Sequence, residues 1–423
     1  MSRSGPRTGL ACLSVPGCRV PLATREQLAI PADELATSLV NVRLRSGAAQ
    51  LCLLSTCERT EVYATWPGEP QPDALVRALA ADRGVPTAVV DDLSDRFTGR
   101  AAARHLLRVA AGLESFVLGE RDIVGQVRSG AEAARAAGVA GLELDRLLAT
   151  AVSTSRRVHR GIGFGEGGRS VAAAAVHRAA APSGGRLAGQ RVVMVGAGQV
   201  AAEVVDVARR LGAAVTVCNR TKRHAERFTA AGADVVDLGR LLEVLPRADL
   251  VIFGTAAPHR LLRADQLTSL PRRRDDLVVV DLCVPRNVDP AVRAVPGVRL
   301  VDLDDLRLAG APETETLSRD VAAAERVVEE ELVRYLRWLA GRSAAPSIRR
   351  LRADVDARAE EQAEHAARGL PAELRPVVEE QVRRAVRRLA HGPTKRLVDA
   401  AEAGDHDLVE LLAGMFARPV VPH

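Results

Sequence analysis

The segment Val192-Val193-Met194-Val195-Gly196-Ala197-Gly198-Gln199-Val200-Ala201 restricts the fold of this 423-residue chain more than any other. An apolar β-branched run passes through two closely spaced glycines into residues of helical spacing. That is the strand, turn and helix of a dinucleotide-binding βαβ unit. Gly196 supplies the tight turn, with Ala197 inside it. Gly198 lets backbone approach a pyrophosphate, and the helix beginning at Gln199 and Val200 offers free N–H groups. Ala201 takes the third glycine position, where helix packs on strand, a substitution the fingerprint allows. A second strand, Ala214 to Cys218, follows the helix that ends near Leu211, and another helix begins near Lys222. The runs Leu250–Phe253 and Leu277–Leu282 read as further strands of a sheet covered on both faces. After the second strand, Asn219-Arg220-Thr221-Lys222 replaces the acidic residue an NAD site would carry. Two cations and a hydroxyl suit a 2′-phosphate, which favours NADPH. The alternative is exposed charge capping the next helix.

At roughly 150 residues per domain the chain has room for about three. Lys+Arg 59 against Asp+Glu 53 leaves +6, and Lys222 and Lys395 are the only lysines. The arginine excess reads either as codon bias or as preparation for a phosphate-rich partner. Ten aromatics, 6 Phe, 2 Trp and 2 Tyr, argue against recognition by base stacking along a single strand. With no uninterrupted apolar run of about 18 residues and no signal-peptide pattern, a soluble, cytoplasmic protein without membrane contact is expected. The six cysteines form no CxxC pair and no His/Cys ligand spacing, so neither a metal site nor a disulfide framework is expected.

Before the nucleotide unit, Leu51-Cys52-Leu53-Leu54 reads as a buried strand ending at Ser55-Thr56-Cys57. Cys57, flanked by Thr56 and Arg59, stands where a loop can expose a thiol beside a cation that lowers its pKa. A small buried cysteine is the alternative. Arg104–Val117 and Ile123–Leu148 have helical spacing with a Gly119-Glu120 turn between them. His105 on the first is a candidate acid/base, or else a partnered surface histidine. Pro182-Ser183-Gly184-Gly185 marks a boundary. Beyond the sheet, Glu313–Leu339 reads as one long amphipathic helix, and 347–415 as Arg- and Glu-rich helices suited to oligomerisation or to packing on their own chain.

Several segments together resemble the glutamyl-tRNA reductase family. Ser55-Thr56-Cys57-Glu58-Arg59-Thr60-Glu61-Val62-Tyr63 is similar to the signature around its nucleophile. His105–Ser115, Val117-Leu118-Gly119-Glu120 and Gly125-Gln126-Val127 resemble its second signature. The glycine turn, Asn219-Arg220-Thr221, Asp281–Pro290, Trp338, Pro346-Ser347-Ile348 and Leu389–Thr394 follow in the same order. The resemblance implies an α/β multidomain fold: an α+β N-terminal catalytic domain (1–160), a Rossmann NADPH-binding domain (165–310), and a long spinal helix with a helical C-terminal dimerisation domain (313–423). It implies a V-shaped homodimer that reduces glutamyl-tRNA(Glu) to glutamate-1-semialdehyde through a cysteine thioester, the first step of 5-aminolevulinate and tetrapyrrole synthesis by the C5 pathway. In that reading Cys57 is the nucleophile and His105 assists proton movement. Thr56, Arg59, Ser115, Glu120 and Gln126 contact the glutamyl group, with Arg59 as carboxylate clamp. Gly196, Ala197, Gly198, Gln199, Val200, Ala201, Asn219, Arg220 and Thr221 hold NADPH. A glutamate-1-semialdehyde aminotransferase is the implied partner enzyme. Four positions depart from the family pattern: Glu58 replaces Asn, Gly17 a His, Glu114 an Asp and Asp122 a Gln. A carboxylate at Glu58 would raise the thiol's pKa and compete for Arg59. A divergent homologue that binds NADPH, tRNA or a partner enzyme but turns over poorly is the alternative function.

Overall fold

The structure, a computed structural model, describes residues 8–163, 170–181, 184–271, 276–308, 315–343, 345–403 and 405–415. Two compact units emerge, a larger one of Leu10–Trp66 and Pro70–Glu329 and a smaller one that contains Glu330–His423.

The larger unit holds two sheets. The first is formed by β1 (Thr8–Pro16), β2 (Gln50–Ser55), β3 (Arg59–Pro67) and β4 (Asp95–Thr98) in the order β2-β3-β1-β4. β2 and β3 are an antiparallel hairpin in which Ser55 pairs with Thr60, leaving Thr56 to Arg59 to close the turn. The strand expected at Leu51–Leu54 is therefore present, but its partner Arg59–Pro67 went unseen because polar Arg59, Thr60 and Glu61 interrupt the apolar pattern. All three are buried. The expected helix Arg104–Val117 is instead Gly99–Ala110 followed by turns. Gly112 breaks it at φ +75°, where an added Cβ would lie 2.8 Å from the backbone N and O of Glu120. The stretch Ile123–Leu148 is likewise two helices, Ile123–Ala136 and Leu142–Gly161, separated at Gly138 with φ +67°.

The second sheet is parallel throughout: β5 (Arg191–Val195), β6 (Ala214–Asn219), β7 (Asp234–Asp237), β8 (Leu250–Phe253), β9 (Leu277–Asp281) and β10 (Val298–Asp302). Its order, β10-β9-β8-β5-β6-β7, is the doubly wound order with β5 at the centre. One face buries Val192, Met194 and Val217 with Val204, Val205 and Ala208 of helix Gln199–Arg210. The other buries Val193, Val195, Val251 and Phe253 with Leu241 and Leu262. This two-sided burial explains why these strands read as continuous apolar runs. Of the expected boundary segment, Pro182 and Ser183 lie outside the described residues, while Gly184 and Gly185 turn with φ +65° and +80°.

Helix Glu315–Ser343 matches the expected long helix, whose residues 313–314 lie outside the described residues. In the smaller unit, Ala345–Ala367, Arg375–Ala403 and His406–Gly414 pack through Leu351, Val355, Leu397 and Leu412. Among the described residues no helix is long and apolar enough to cross a membrane.

Candidate functional site

Thr56, Cys57 and Glu58 form the tip of the β2–β3 hairpin. Thr56 Oγ1 accepts hydrogen bonds from the backbone N–H groups of Glu58 at 3.0 Å and Arg59 at 3.1 Å, which fixes the loop. Two outside contacts clamp it. The Gly17 N–H donates to the Glu58 carbonyl at 2.7 Å, and Arg25 Nη1 donates to the Cys57 carbonyl at 3.0 Å. The half-buried Cys57 side chain packs against the apolar core on which Ala197 and Val200 of the glycine turn also pack. The fold thus carries the thiol to the nucleotide-binding sheet.

The electrostatics around Cys57 differ from the sequence expectation. Burial pushes its thiol up to about 12, Glu58 and Glu120 push the same way, and the opposing cations are Arg307 and Arg25. Arg59 does not act as the neighbouring cation. Its guanidinium points into the domain, 3.5 Å from Glu61 and 3.7 Å from Glu58, and donates to the Glu114 carbonyl. Glu58 is buried, and its carboxylate accepts the Phe116 N–H at 3.0 Å. A carboxylate held this close to a thiol disfavours the thiolate. Glu58→Gln keeps an acceptor for Phe116 and removes the charge. Alkylation of Cys57 by iodoacetamide at pH 8, followed by peptide mass spectrometry, is expected to quicken about tenfold, one unit of thiol pKa. An unchanged rate would remove Glu58 from the account.

Behind Arg59 lies a buried polar network. Glu61 accepts from Ser14 Oγ at 2.8 Å, from Tyr63 Oη at 2.7 Å and from His105 Nε2 at 2.9 Å. Burial alone would push the Glu61 carboxyl up, yet His105, Arg59 and Tyr63 hold it down at about 2. Phe97 stacks on His105 with ring centroids 4.4 Å apart. His105 is therefore neither a surface histidine nor in contact with Cys57. Cys12, Glu61 and His105 lie close enough to share a metal ion. Ligand spacing could not reveal this group, because three separate elements supply it. The charge its carboxylate already faces is Arg59.

A cavity of about 660 Å³ opens beside the hairpin, lined by Gly17, Arg59, Ser115, Phe116 and Arg307 among others. Arg59 Nε, Ser115 Oγ and Arg307 Nη1 are buried without hydrogen-bond partners. His105 lines an adjoining cavity of about 460 Å³ that shares Arg59. Of the expected glutamyl contacts, Arg59 and Ser115 line the first cavity, while Thr56, Glu120 and Gln126 do not. Burial, reinforced by Glu58 and Asp122, pushes the Glu120 carboxyl up to about 8. Gln126 sits in the first turn of helix Ile123–Ala136. Sequence reasoning missed Arg307, Arg25 and Glu61, which gain meaning only when distant segments meet.

The glycine turn fits a dinucleotide. Gly196 has φ +115°, and a Cβ there would lie 2.4 Å from the Gly254 carbonyl oxygen, whereas one on Gly198 would meet open space. Ala201 is fully buried against the strand. A cavity of about 260 Å³ is lined by Gly196, Asn219, Arg220, Thr255 and His259. Asn219 Nδ2 donates to the Thr221 carbonyl at 2.8 Å, which shapes the loop that presents Arg220. Arg227 Nη2 donates to the carbonyls of Ala197 and Gly198 at 2.6 and 3.0 Å, bracing the turn. Gln199 Nε2 donates to Asp122, so the turn also touches the Gly119–Asp122 segment of the thiol domain. Arg286 grips Glu26 through its backbone N–H and its guanidinium, a second tie between the two sheets' domains.

Comparison with known proteins agrees with this layout. Residues 15–161 match the family model of the glutamyl-tRNA(Glu) reductase N-terminal domain, 178–309 that of shikimate / quinate 5-dehydrogenase, and 323–418 that of the glutamyl-tRNA(Glu) reductase dimerisation domain. Glutamyl-tRNA reductase 2 of a Nocardioides species is 51% identical over 414 residues, 96% of this chain and 92% of that protein. Glutamyl-tRNA reductase of Rubrobacter xylanophilus is 35% identical over 393 residues, 91% of each. Among solved structures, glutamyl-tRNA reductase from Methanopyrus kandleri aligns with 95% of this chain and 98% of its own at 26% identity and a TM-score of 0.45.

Proposed function

Because this chain belongs to the glutamyl-tRNA reductase family, a family of oxidoreductases, we propose that it reduces glutamyl-tRNA(Glu) to glutamate-1-semialdehyde with NADPH, through a thioester on Cys57. The observation that carries this reading is the packing of Cys57 on the core of the nucleotide-binding sheet, the core that Ala197 and Val200 also pack against. An acyl group on that sulfur would stand on the same core that supports the nucleotide-binding turn.

The chemistry balances with the residues present. The Cys57 sulfur attacks the ester carbonyl that joins glutamate to the tRNA 3′ end, the C–O bond breaks, and the proton that Cys57 gives up ends on the departing oxygen as the tRNA hydroxyl. A nicotinamide dinucleotide held at Gly196, Gly198 and Arg220 would supply two electrons and a hydrogen to the thioester carbon. The resulting tetrahedral adduct expels the Cys57 thiolate and frees the aldehyde. A thioester accepts hydride more readily than an ester, and this is why the covalent step precedes reduction. Thr56 Oγ1 accepts two backbone N–H groups, so its own O–H remains to donate to the glutamyl group. Ser115 Oγ and Arg59 Nε, both buried and unpartnered, are the other polar contacts. His105 acts at one remove, holding Glu61 and through it Arg59.

Asn219, Arg220 and Thr221 hold the cofactor's 2′-phosphate in this reading. The dimerisation-domain match supports a homodimer, and exposed Leu374, Val377 and Leu389 on the smaller unit give it apolar surface to cover. The reaction is the first step of 5-aminolevulinate and tetrapyrrole synthesis by the C5 pathway, and a semialdehyde aminotransferase is the partner that would take the product. The domain limits 1–160, 165–310 and 313–423 complete the proposal. Purified protein given glutamyl-tRNA and NADPH is expected to form the semialdehyde, and Cys57→Ser to lower the rate by about 10³-fold or more. Turnover that survives Cys57→Ser would overturn the mechanism. Binding of both ligands without product by the unmodified protein would favour the alternative homologue.

A further inference from the structure

We propose that Arg307 recruits the free carboxylate of the acyl group delivered to Cys57, adding to Arg59 a cation whose charge is not already shared with Glu58 and Glu61. The identity of that acyl group rests on the functional reading above; the anion site does not.

Three observations place the charge. Arg59 lines the cavity, but Glu58 and Glu61 stand 3.7 and 3.5 Å from its guanidinium, so two carboxylates face one cation. An incoming carboxylate would find that charge already shared. Arg25 is the next cation, and it pairs with Asp304 and holds the Cys57 carbonyl. Arg307 has neither ion pair nor hydrogen bond among the described residues, and its Nη1 is buried unpartnered in the cavity wall. A cationic nitrogen buried without a partner is costly, and an anionic ligand relieves that cost.

Gly17 makes this arrangement possible. A Cβ on residue 17 would lie 2.8 Å from both Nη1 and Nη2 of Arg307 and 2.5 Å from the Glu58 carbonyl oxygen. The guanidinium occupies the space that a side chain at 17 would fill. Its effect reaches the thiol, since Arg307 is the foremost cation opposing the upward shift of Cys57. Arg307 comes from helix Leu303–Leu308, which follows the last strand of the nucleotide-binding sheet. The anion site is thus assembled from both sheets' domains. Asp304 on the same helix fixes its approach by pairing with Arg25 and accepting the Leu22 N–H at 3.1 Å.

The test compares alkylation of Cys57 by iodoacetate and iodoacetamide at low ionic strength, read by peptide mass spectrometry. The two reagents differ in a carboxylate, and their rate ratio cancels changes in thiol pKa and in general accessibility. Relative to a small model thiol, the unmodified protein is expected to favour iodoacetate about tenfold, with the preference fading as salt rises. Arg307→Gln is expected to return the ratio to the model-thiol value. Arg307→Lys, which keeps the charge, should retain the preference, and Arg19→Gln, a cavity-lining cation already paired with Asp95, should leave it intact. A model-thiol ratio in the unmodified protein, an unaltered ratio in Arg307→Gln, or loss of preference in Arg307→Lys would each overturn the proposal. Failure to reduce glutamyl-tRNA while the ratio behaves as expected would overturn the functional reading alone.

Discussion

Glu61→Gln is expected to cost about 3–5 kcal/mol of stability at pH 7, the range for removing one partner of a buried ion pair. Glu61 is fully buried and is the common acceptor for Ser14, Tyr63 and His105, with Arg59 beside it. Glutamine keeps the shape but leaves a buried guanidinium with one carboxylate fewer. The effect has a pH signature. The Glu61 carboxyl is held at about 2, below its ordinary 4.5, so its contribution is complete above about pH 4.5 and is lost as pH falls toward 2. The gap in melting temperature between unmodified protein and Glu61→Gln, followed by scanning fluorimetry, should be widest near neutrality and close as pH approaches 2. A gap equally wide at pH 3 and pH 7 would show that packing, not charge, sets the cost.

Arg220→Asp is expected to shift the ratio of kcat/KM for NADPH over NADH by about 10²-fold toward NADH. A charge-assisted contact to phosphate contributes about 1.5–3 kcal/mol, and aspartate adds repulsion. Arg220 lines the cavity beside the glycine turn on a loop held by the Asn219–Thr221 hydrogen bond, so the substitution changes charge without touching the turn. Equal use of both cofactors by the unmodified protein would refute the assignment of Arg220.

The nucleotide-binding unit was legible because its information is local. Strand, glycine turn and helix are contiguous, and burial on both faces makes each strand an apolar run. The position of Cys57 at a strand end was legible for the same reason. The hairpin partner of that strand was hidden, since buried Arg59, Thr60 and Glu61 look like surface residues until their mutual pairing is known. The helix ends at Gly112 and Gly138 were missed because helical spacing of apolar residues continues past a glycine that turns the chain. The charge balance around the thiol was least legible. Glu58 is adjacent in sequence and its upward push on Cys57 could be anticipated, but Arg307 is brought in from the far end of the other sheet's domain. Gly17 was the available clue, a position emptied of its side chain and filled by a distant guanidinium. The departure at Gly17 from the family pattern is thereby given a physical counterpart.

The central claim is that Cys57 carries the glutamyl group between ester and aldehyde. It is tested most directly by omitting NADPH. Protein mixed with glutamyl-tRNA labelled in the glutamate should retain label after tRNA is digested, on the peptide that contains Cys57, with the lability to hydroxylamine of a thioester, and should release it as semialdehyde when NADPH is added. Absence of label on Cys57 while the complete mixture still forms semialdehyde would contradict the account.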